Sequence, residues 1–436
     1  MVEFHDLKNQ LLKGLSNFCK SKELSDGELY TFKMEVNIQS IRDLIPFLKD
    51  MTCSYMKSPD GSEVLGLGTL CVYKNSLEME LIKEELKKNP ELIYLGALPF
   101  NKNSKLESEW SDFNGNNFFL PVVVIAREGH KTFLKVNFKG TSQKSEFQEM
   151  NLTTTVNSLL TFVHRDSENI KIEKEDLTFQ EDQWDNLISE SQKAFSDTEL
   201  KKVVLARGKI TEYDKVVDAF KLFENFKSAP NQYEFFFHIA NGSSFISFTP
   251  EKLFSLHDNI IVVDSIAGTL KKTDSNKGTE LLHSTKDLDE HRFVSNFIKE
   301  NLLCISSEVF ELFKEEILSL PTLFHIHSRY KAQINEDLSI VDIVSLLHPT
   351  PAVGGFPRNA ALNFINNNEK LNRGLYAGPI GRISKSYTEF AVGIRSLLVK
   401  DNRIHFYGGA GIVNKSIASK EWIETGDKIE SVQCMM

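Results

Sequence analysis

A chain of 436 residues has room for two or three domains of about 150 residues, or for one large one. Its 41% apolar and 25% charged residues are typical of soluble globular proteins, which excludes collagen-like, disordered and disulfide-stapled classes. A net charge of -9 supplies no basic field for a polyanion, so no nucleic-acid partner is expected, and a compact anionic ligand would need locally placed cations or a metal.

The opening MVEFHDLKNQ carries acids where an export signal has basic residues, so a cytoplasmic protein is expected. Helical patterns at Leu7–Phe18 and Glu78–Lys88 mix with strand-like runs at Val64–Val72 and Phe118–Ala126. The last of these is the longest apolar run, about half of the roughly 20 residues a membrane helix needs, so no membrane partner is expected. From Lys139 to about Glu181 the composition turns polar and predicts a surface excursion. Strands follow at Lys202–Arg207, Glu234–Ala240, Ser244–Phe248, Ile260–Asp264 and Thr388–Val399, with helices at Gly278–Leu303 and Ser419–Val432. Helices set between runs of neighbouring strands predict an α+β protein. The five cysteines are scattered without a CxxC pair, which leaves neither a disulfide framework nor a cysteine zinc site.

Glu421 and Glu424 lie three apart on the last helix and share a face with Lys428. Such a face suits Mg²⁺, which one or two carboxylates plus substrate oxygens can hold; it equally suits a solvated Glu–Lys ion pair. Asp287, Glu290 and His291 fall at turn spacing in the other long helix, where a metal face and a plain charged surface both fit. Gly408-Gly409-Ala410-Gly411 follows a strand and either presents backbone N–H groups to an anion or makes a turn; it is no dinucleotide or P-loop fingerprint. Lys202, after Lys201 in an apolar strand, is a base if a cleft desolvates it and an edge guard otherwise. Glu251 offers a general acid or a helix start. His325 and His327 share one face of a strand, and the segment His348–Pro357 (HPTPAVGGFP) reads as a rigid loop fit to wall a pocket.

In order, KVVLAR, FTPEKL, SIAGT, KDLDEH, HPTPAVGGFP, GIRS, GGAGIV and EWIETGDK resemble the motifs of the chorismate-utilising enzymes. The resemblance is dense from about Leu200 onward and fainter at Gly96–Phe100, Trp110 and Phe119–Pro121. It implies two antiparallel β-sheets packed face to face with helices outside. Residues 1–180 would form the N-terminal half, including a polar linker at about 139–181, and 181–436 the chorismate-binding catalytic region. It implies Lys202 as the base that activates water for attack at carbon 2 of chorismate, and Glu251 as the acid that protonates the departing carbon 4 hydroxyl. Glu290 and Glu421 would bind Mg²⁺, with Glu424 beside it. Arg395 and Lys428, with backbone N–H groups of Gly409, Ala410 and Gly411, would hold the enolpyruvyl carboxylate. Gly268 and Thr269 would line the ring, and His325 would lie by the reacting hydroxyl.

Within the family, Ala267 stands where aminodeoxychorismate synthases carry a nucleophilic lysine, and HPTPA resembles the isochorismate synthases. This implies an isomerase that uses water and forms isochorismate for menaquinone or siderophore synthesis, as a monomer without an amidotransferase subunit. A salicylate synthase is the alternative; an anthranilate or aminodeoxychorismate synthase component, or a non-catalytic chorismate-binding protein, is less favoured. Phe324 replaces the family's Gln or Trp, and residues 326–330 also depart from the pattern, which puts the shape of the pocket near the attacked carbon in question.

Overall fold

The structure, a computed structural model, describes residues 2–101, 106, 108–115, 118–141, 145–165, 169–227, 229–273, 277–319, 323–335 and 337–436. Among these the chain first forms α1 (Val2–Ser21), β1 (Leu29–Val36), β2 (Cys53–Lys57), β3 (Glu63–Tyr73), α2 (Ser76–Lys88), β4 (Ile93–Ala97), β5 (Phe118–Glu128), β6 (Lys131–Lys139), α3 (Ser145–Leu159) and β7 (Ile172–Leu177). Next come α4 (Glu181–Asp197), β8 (Lys202–Tyr213), α5 (Ala219–Asn225), β9 (Tyr233–His238), β10 (Ser244–Thr249), β11 (Lys252–His257), β12 (Ile260–Lys271), α6 (Thr285–Leu303), β13 (Val309–Ser319) and β14 (Leu323–Gln333). The chain closes with α7 (Ile340–Leu347), β15 (Gly355–Phe356), α8 (Arg358–Asn368), β16 (Pro379–Ser384), β17 (Thr388–Val392), β18 (Ser396–Lys400), β19 (Arg403–Ile412) and α9 (Ala418–Gln433). The fold is α+β, and no helix among the described residues is long and apolar enough to cross a membrane.

All pairings between these strands are antiparallel, and together they make one hydrogen-bonded network of nineteen strands. It has two limbs that meet at β5. One runs β7-β8-β19-β18-β10-β9-β2-β3-β5; the other runs β5-β4-β16-β17-β11-β12-β14-β13. The branch has a local cause. β3 follows β5 along its length, but Phe118 and Phe119 pair on the other edge with β4, whereas Val123–Glu128 pair with β6, which leads on to β1. Pro121 lies between these two stretches, where the neighbour changes and its missing N–H breaks no ladder. Two extended apolar clusters fill the molecule, one around Trp110, Trp184, Tyr376 and Phe390, the other around Leu11, Tyr55, Phe223 and Phe236.

Three sequence expectations are corrected. The single strand over Thr388–Val399 is two, β17 and β18, because Arg395 takes a left-handed φ of 49° that no strand continues through. The helix expected from Gly278 begins at Thr285. Gly278, at φ 82°, opens a separate 3-10 turn (Thr279–His283), and the Ser284 side chain then caps α6 by accepting the Asp287 N–H at 3.3 Å. The polar stretch at 139–181 contains α3, which buries Leu152 and Val156, and β7, an edge strand exposed along its whole length. So little of either is covered that their composition reads as loop.

Candidate functional site

Burial separates the two lysines: β8 starts at Lys202 and is buried at every position from there to Gly208. Lys201 is exposed, whereas the Lys202 side chain is 2% exposed and its Nζ lies 2.9 Å from Glu290 Oε1 on α6. A buried charge requires a partner of this kind. The start of β8 is fixed from its outer edge. Val204 donates to the Gly354 carbonyl at 2.9 Å, and Arg373 donates to the carbonyls of Val204 (2.7 Å) and Val353 (3.0 Å). Glu369 accepts the Ala206 N–H at 2.9 Å and holds Arg373 at 2.7 Å. Both side chains of that ion pair are almost wholly buried. The proline-rich loop is therefore a strap: its β15 pairs with Lys202 and Val203, and a Cβ on Gly355 would lie 2.3 Å from the Lys202 carbonyl oxygen.

On the other side of β8 runs the glycine segment of β19. A Cβ on Gly411 would meet Lys202 Cε at 3.0 Å and Glu290 Oε1 at 3.5 Å, and one on Gly409 would meet the Tyr376 hydroxyl at 2.9 Å. Glycine here leaves room for groups that face the cleft. Val204 and Ala206, the cross-strand partners of Gly411 and Gly409, turn their N–H groups away from β19. In an antiparallel ladder Gly409 and Gly411 are thus the non-bonded positions, with N–H groups directed away from β8, while the Ala410 N–H belongs to the ladder and its methyl is buried. Lys428 on α9 donates to the Gly409 carbonyl at 2.7 Å and to Glu424 at 2.7 Å.

Glu251 lies between β10 and β11, in the electrostatic reach of Lys202 and Lys428. Burial pushes its pKa up to about 7, against the opposing pull of the two lysines. Glu290 is held below the usual carboxylate range chiefly by the Lys202 charge. His325 shares a hydrogen bond of 3.1 Å from Nδ1 with the Gly268 carbonyl, and burial lowers its pKa. A carbonyl only accepts, so Nδ1 carries the proton and Nε2 of the neutral ring is an acceptor. The Arg395 guanidinium donates to Ser431 at 2.6 Å and is lowered by burial. Tyr376, which the sequence reading missed, lies between these groups: burial raises it to about 12, with Arg395 and Glu251 among the charges that act on it. A tyrosine in a patternless stretch between α8 and β16 gives no periodic signal; only its neighbour Gly409 hints at a close approach.

Glu421 is raised by burial and by the like charge of Glu424, and lowered by a hydrogen bond from Ser416 and by Lys286 and Lys428. The same two lysines act on Glu290. No three His, Cys, Asp or Glu side chains converge on a ready-made metal cluster among the described residues. Glu421 and Glu424 repel each other, and Glu421 and Glu290 lie in the field of the same two lysines, Lys286 and Lys428. That donor set fits a hard divalent cation, which would relieve the repulsion. Gly268 takes φ 74° where β12 bulges, and its Cβ would meet Asp287 Cβ at 3.1 Å; the Thr269 side chain lies outside the described residues. His291 is a core residue bonded to Ser328 and Ser295, and His327 pairs with Asp264 at 3.1 Å, so neither faces the cleft as a ligand.

A family model described as "Chorismate binding enzyme" matches residues 72–436. The chain is 27% identical over 347 residues to isochorismate synthase MenF of Bacillus subtilis, covering 78% of this chain and 73% of that protein. It is 30% identical over 256 residues to isochorismate synthase EntC of Escherichia coli, covering 57% and 66%. It is also 28% identical over 384 residues to the chloroplastic isochorismate synthase of Catharanthus roseus, covering 83% and 66%. The last two matches span just under two thirds of those relatives. Among solved structures, MenF from Escherichia coli superposes with a TM-score of 0.86 at 22% identity over 98% of this chain and 99% of that one. Anthranilate synthase component I from Streptococcus pneumoniae superposes at 0.69 and 18% identity, over 94% and 93%. In fold, and over most of its sequence, the chain belongs to the chorismate-binding enzyme family.

Proposed function

We propose that this chain is an isochorismate synthase, an isomerase that converts chorismate to isochorismate with Mg²⁺. The observation that supports the reading is a buried lysine in the electrostatic reach of a carboxyl that burial pushes up to about 7. Lys202, which acts as a base only after giving up the proton it holds against Glu290, takes a proton from the water that adds at carbon 2. Glu251, half protonated near neutrality, delivers a proton to the carbon 4 hydroxyl as its C–O bond breaks and the ring double bonds shift between the two positions. His325 accepts through Nε2 from a hydroxyl of the substrate. Arg395 grips a carboxylate with its fork, and the N–H groups of Gly409 and Gly411 complete that site. Lys428, placed by the Gly409 carbonyl, adds charge there. Glu290, Glu421 and Glu424 would hold Mg²⁺, which supplies charge neutralisation for the other substrate carboxylate.

All these residues fall in the region 181–436, which we take as the catalytic part, with 1–180 as the N-terminal half. A cytoplasmic monomer without an amidotransferase subunit belongs to the same proposal. Turnover in ¹⁸O-labelled water tests the chemistry: the isochorismate formed should carry one heavy oxygen, at the new carbon 2 hydroxyl. Unlabelled isochorismate would refute water attack, and labelled product from a Lys202→Ala protein at the wild-type rate would refute the base.

A further inference from the structure

Phe324, the first of the residues on β14 that depart from the family pattern, turns away from His325. Side chains alternate along β14: His325 and His327 turn to one side, towards Gly268 and Asp264, while Phe324, Ile326 and Ser328 turn to the other, where Ser328 meets His291 of α6 at 2.9 Å. Phe324 and Ile326 join Leu281 in a small apolar cluster apart from the two large cores, with Leu270, Leu282, Leu288 and Ile317 packed around it. The fit is close. A Cβ on Gly278 would lie 2.6 Å from Phe324 Cγ, and one on Gly268 would lie 3.2 Å from Ile326 Cδ1. Lys272 Nζ stands 4.8 Å from the centre of the Phe324 ring.

This cluster divides the support of α6 in two. The second half of the helix, with Val294, Phe297, Ile298 and Leu302, is rooted in the large core. Its first turns reach the sheet through Leu288 and the 279–283 turn, both seated on the Phe324 cluster, and besides these through Asp287 beside Gly268 and the His291–Ser328 bond. Glu290 is two residues beyond Leu288. We propose that Phe324 is a positioning residue: it fixes the first two turns of α6 on β12 and β14, and so sets where Glu290 meets Lys202 and a bound cation. The proposal rests on the isochorismate synthase reading for its metal and kinetic readouts, and not for the exchange readout.

Hydrogen exchange, Mg²⁺ calorimetry and steady-state kinetics on Phe324→Ala test it together. Amides of residues 285–292 should exchange about tenfold faster with those of α9 unchanged. Mg²⁺ affinity should fall about tenfold, as for outer-shell changes at metal sites. Turnover number should fall while KM for chorismate stays within about twofold, the split expected when groundstate binding is intact. Phe324→Leu, which keeps apolar bulk, should recover most of each effect. Leu15→Ala, in the other core, should lower stability and leave exchange at 285–292 and Mg²⁺ affinity unchanged. Wild-type exchange or wild-type Mg²⁺ affinity in Phe324→Ala overturns the proposal, as does an equal response in Leu15→Ala. Wild-type protein that forms no isochorismate would sink the functional reading, while the exchange comparison still decides the role of Phe324.

Discussion

Replacing Glu251 by Gln should inactivate the protein and stabilise it above neutral pH. Burial holds this carboxyl at about 7 against an ordinary value of 4.5. Between those two pH values the folded chain keeps a proton that the unfolded chain has released. The stability linked to this group is therefore fully present below about pH 4.5 and is lost as pH rises through 7. A gap of about 2.5 pH units, at about 1.4 kcal/mol each, makes that loss about 3–4 kcal/mol at most. Glutamine has nearly the same shape and no charge at any pH, so it escapes the loss. The assay is urea unfolding of both proteins in EDTA at intervals from about pH 4.5 to 8.5. The stability difference should grow across that range to about 2–3 kcal/mol in favour of Gln, while turnover falls by about a hundredfold or more. In the wild type the same group predicts an alkaline limb of activity near pH 7, with about a tenth of the acid left one unit higher. A stability difference that is flat in pH, or one that favours Glu at pH 8, would refute the reasoning.

Lys202→Met keeps the stem and removes the ammonium, so turnover should drop by about 10²–10⁴ with the fold intact by circular dichroism; near-normal turnover would exclude Lys202 as the base. Gly411→Ala puts a methyl 3.0 Å from Lys202 Cε, and should depress turnover far more than it lowers the unfolding midpoint. Arg373→Met leaves Glu369 buried without its ion-pair partner and should cost about 3–5 kcal/mol in denaturant unfolding, whereas an exposed pair would cost under about 1. Glu421→Gln should weaken Mg²⁺ binding by calorimetry, with chorismate binding in EDTA little changed.

What could be read beforehand follows from periodicity. Helical spacing places α9 within a residue of its observed ends and Glu424 one turn from Lys428, whereas only the motif resemblance singles out Lys202 from its neighbour Lys201. The Glu424–Lys428 pair forms as its spacing predicts, and Lys428 donates to the Gly409 carbonyl at the same time. Periodicity is silent where burial is two-sided. β5 is apolar at every position from Phe118 to Ala126, so nothing in its pattern announces that it changes neighbours at Pro121. Glu369 and Arg373, four apart, look like any surface pair, and only the edge of β8 makes them structural. Arg395 likewise interrupts a run that reads as one strand, since its left-handed backbone leaves no trace in composition. Phe324 reads as a change in the pocket and proves to turn away from His325 into a separate apolar cluster.

The measurement that bears most directly on the account is product analysis after incubation of the purified chain with chorismate, with Mg²⁺ and with EDTA. Isochorismate approaching a fixed ratio to chorismate, and only with Mg²⁺, is the predicted result. Salicylate with pyruvate would move the chain to another branch of the family, and unchanged chorismate in Mg²⁺ would contradict the account at its centre.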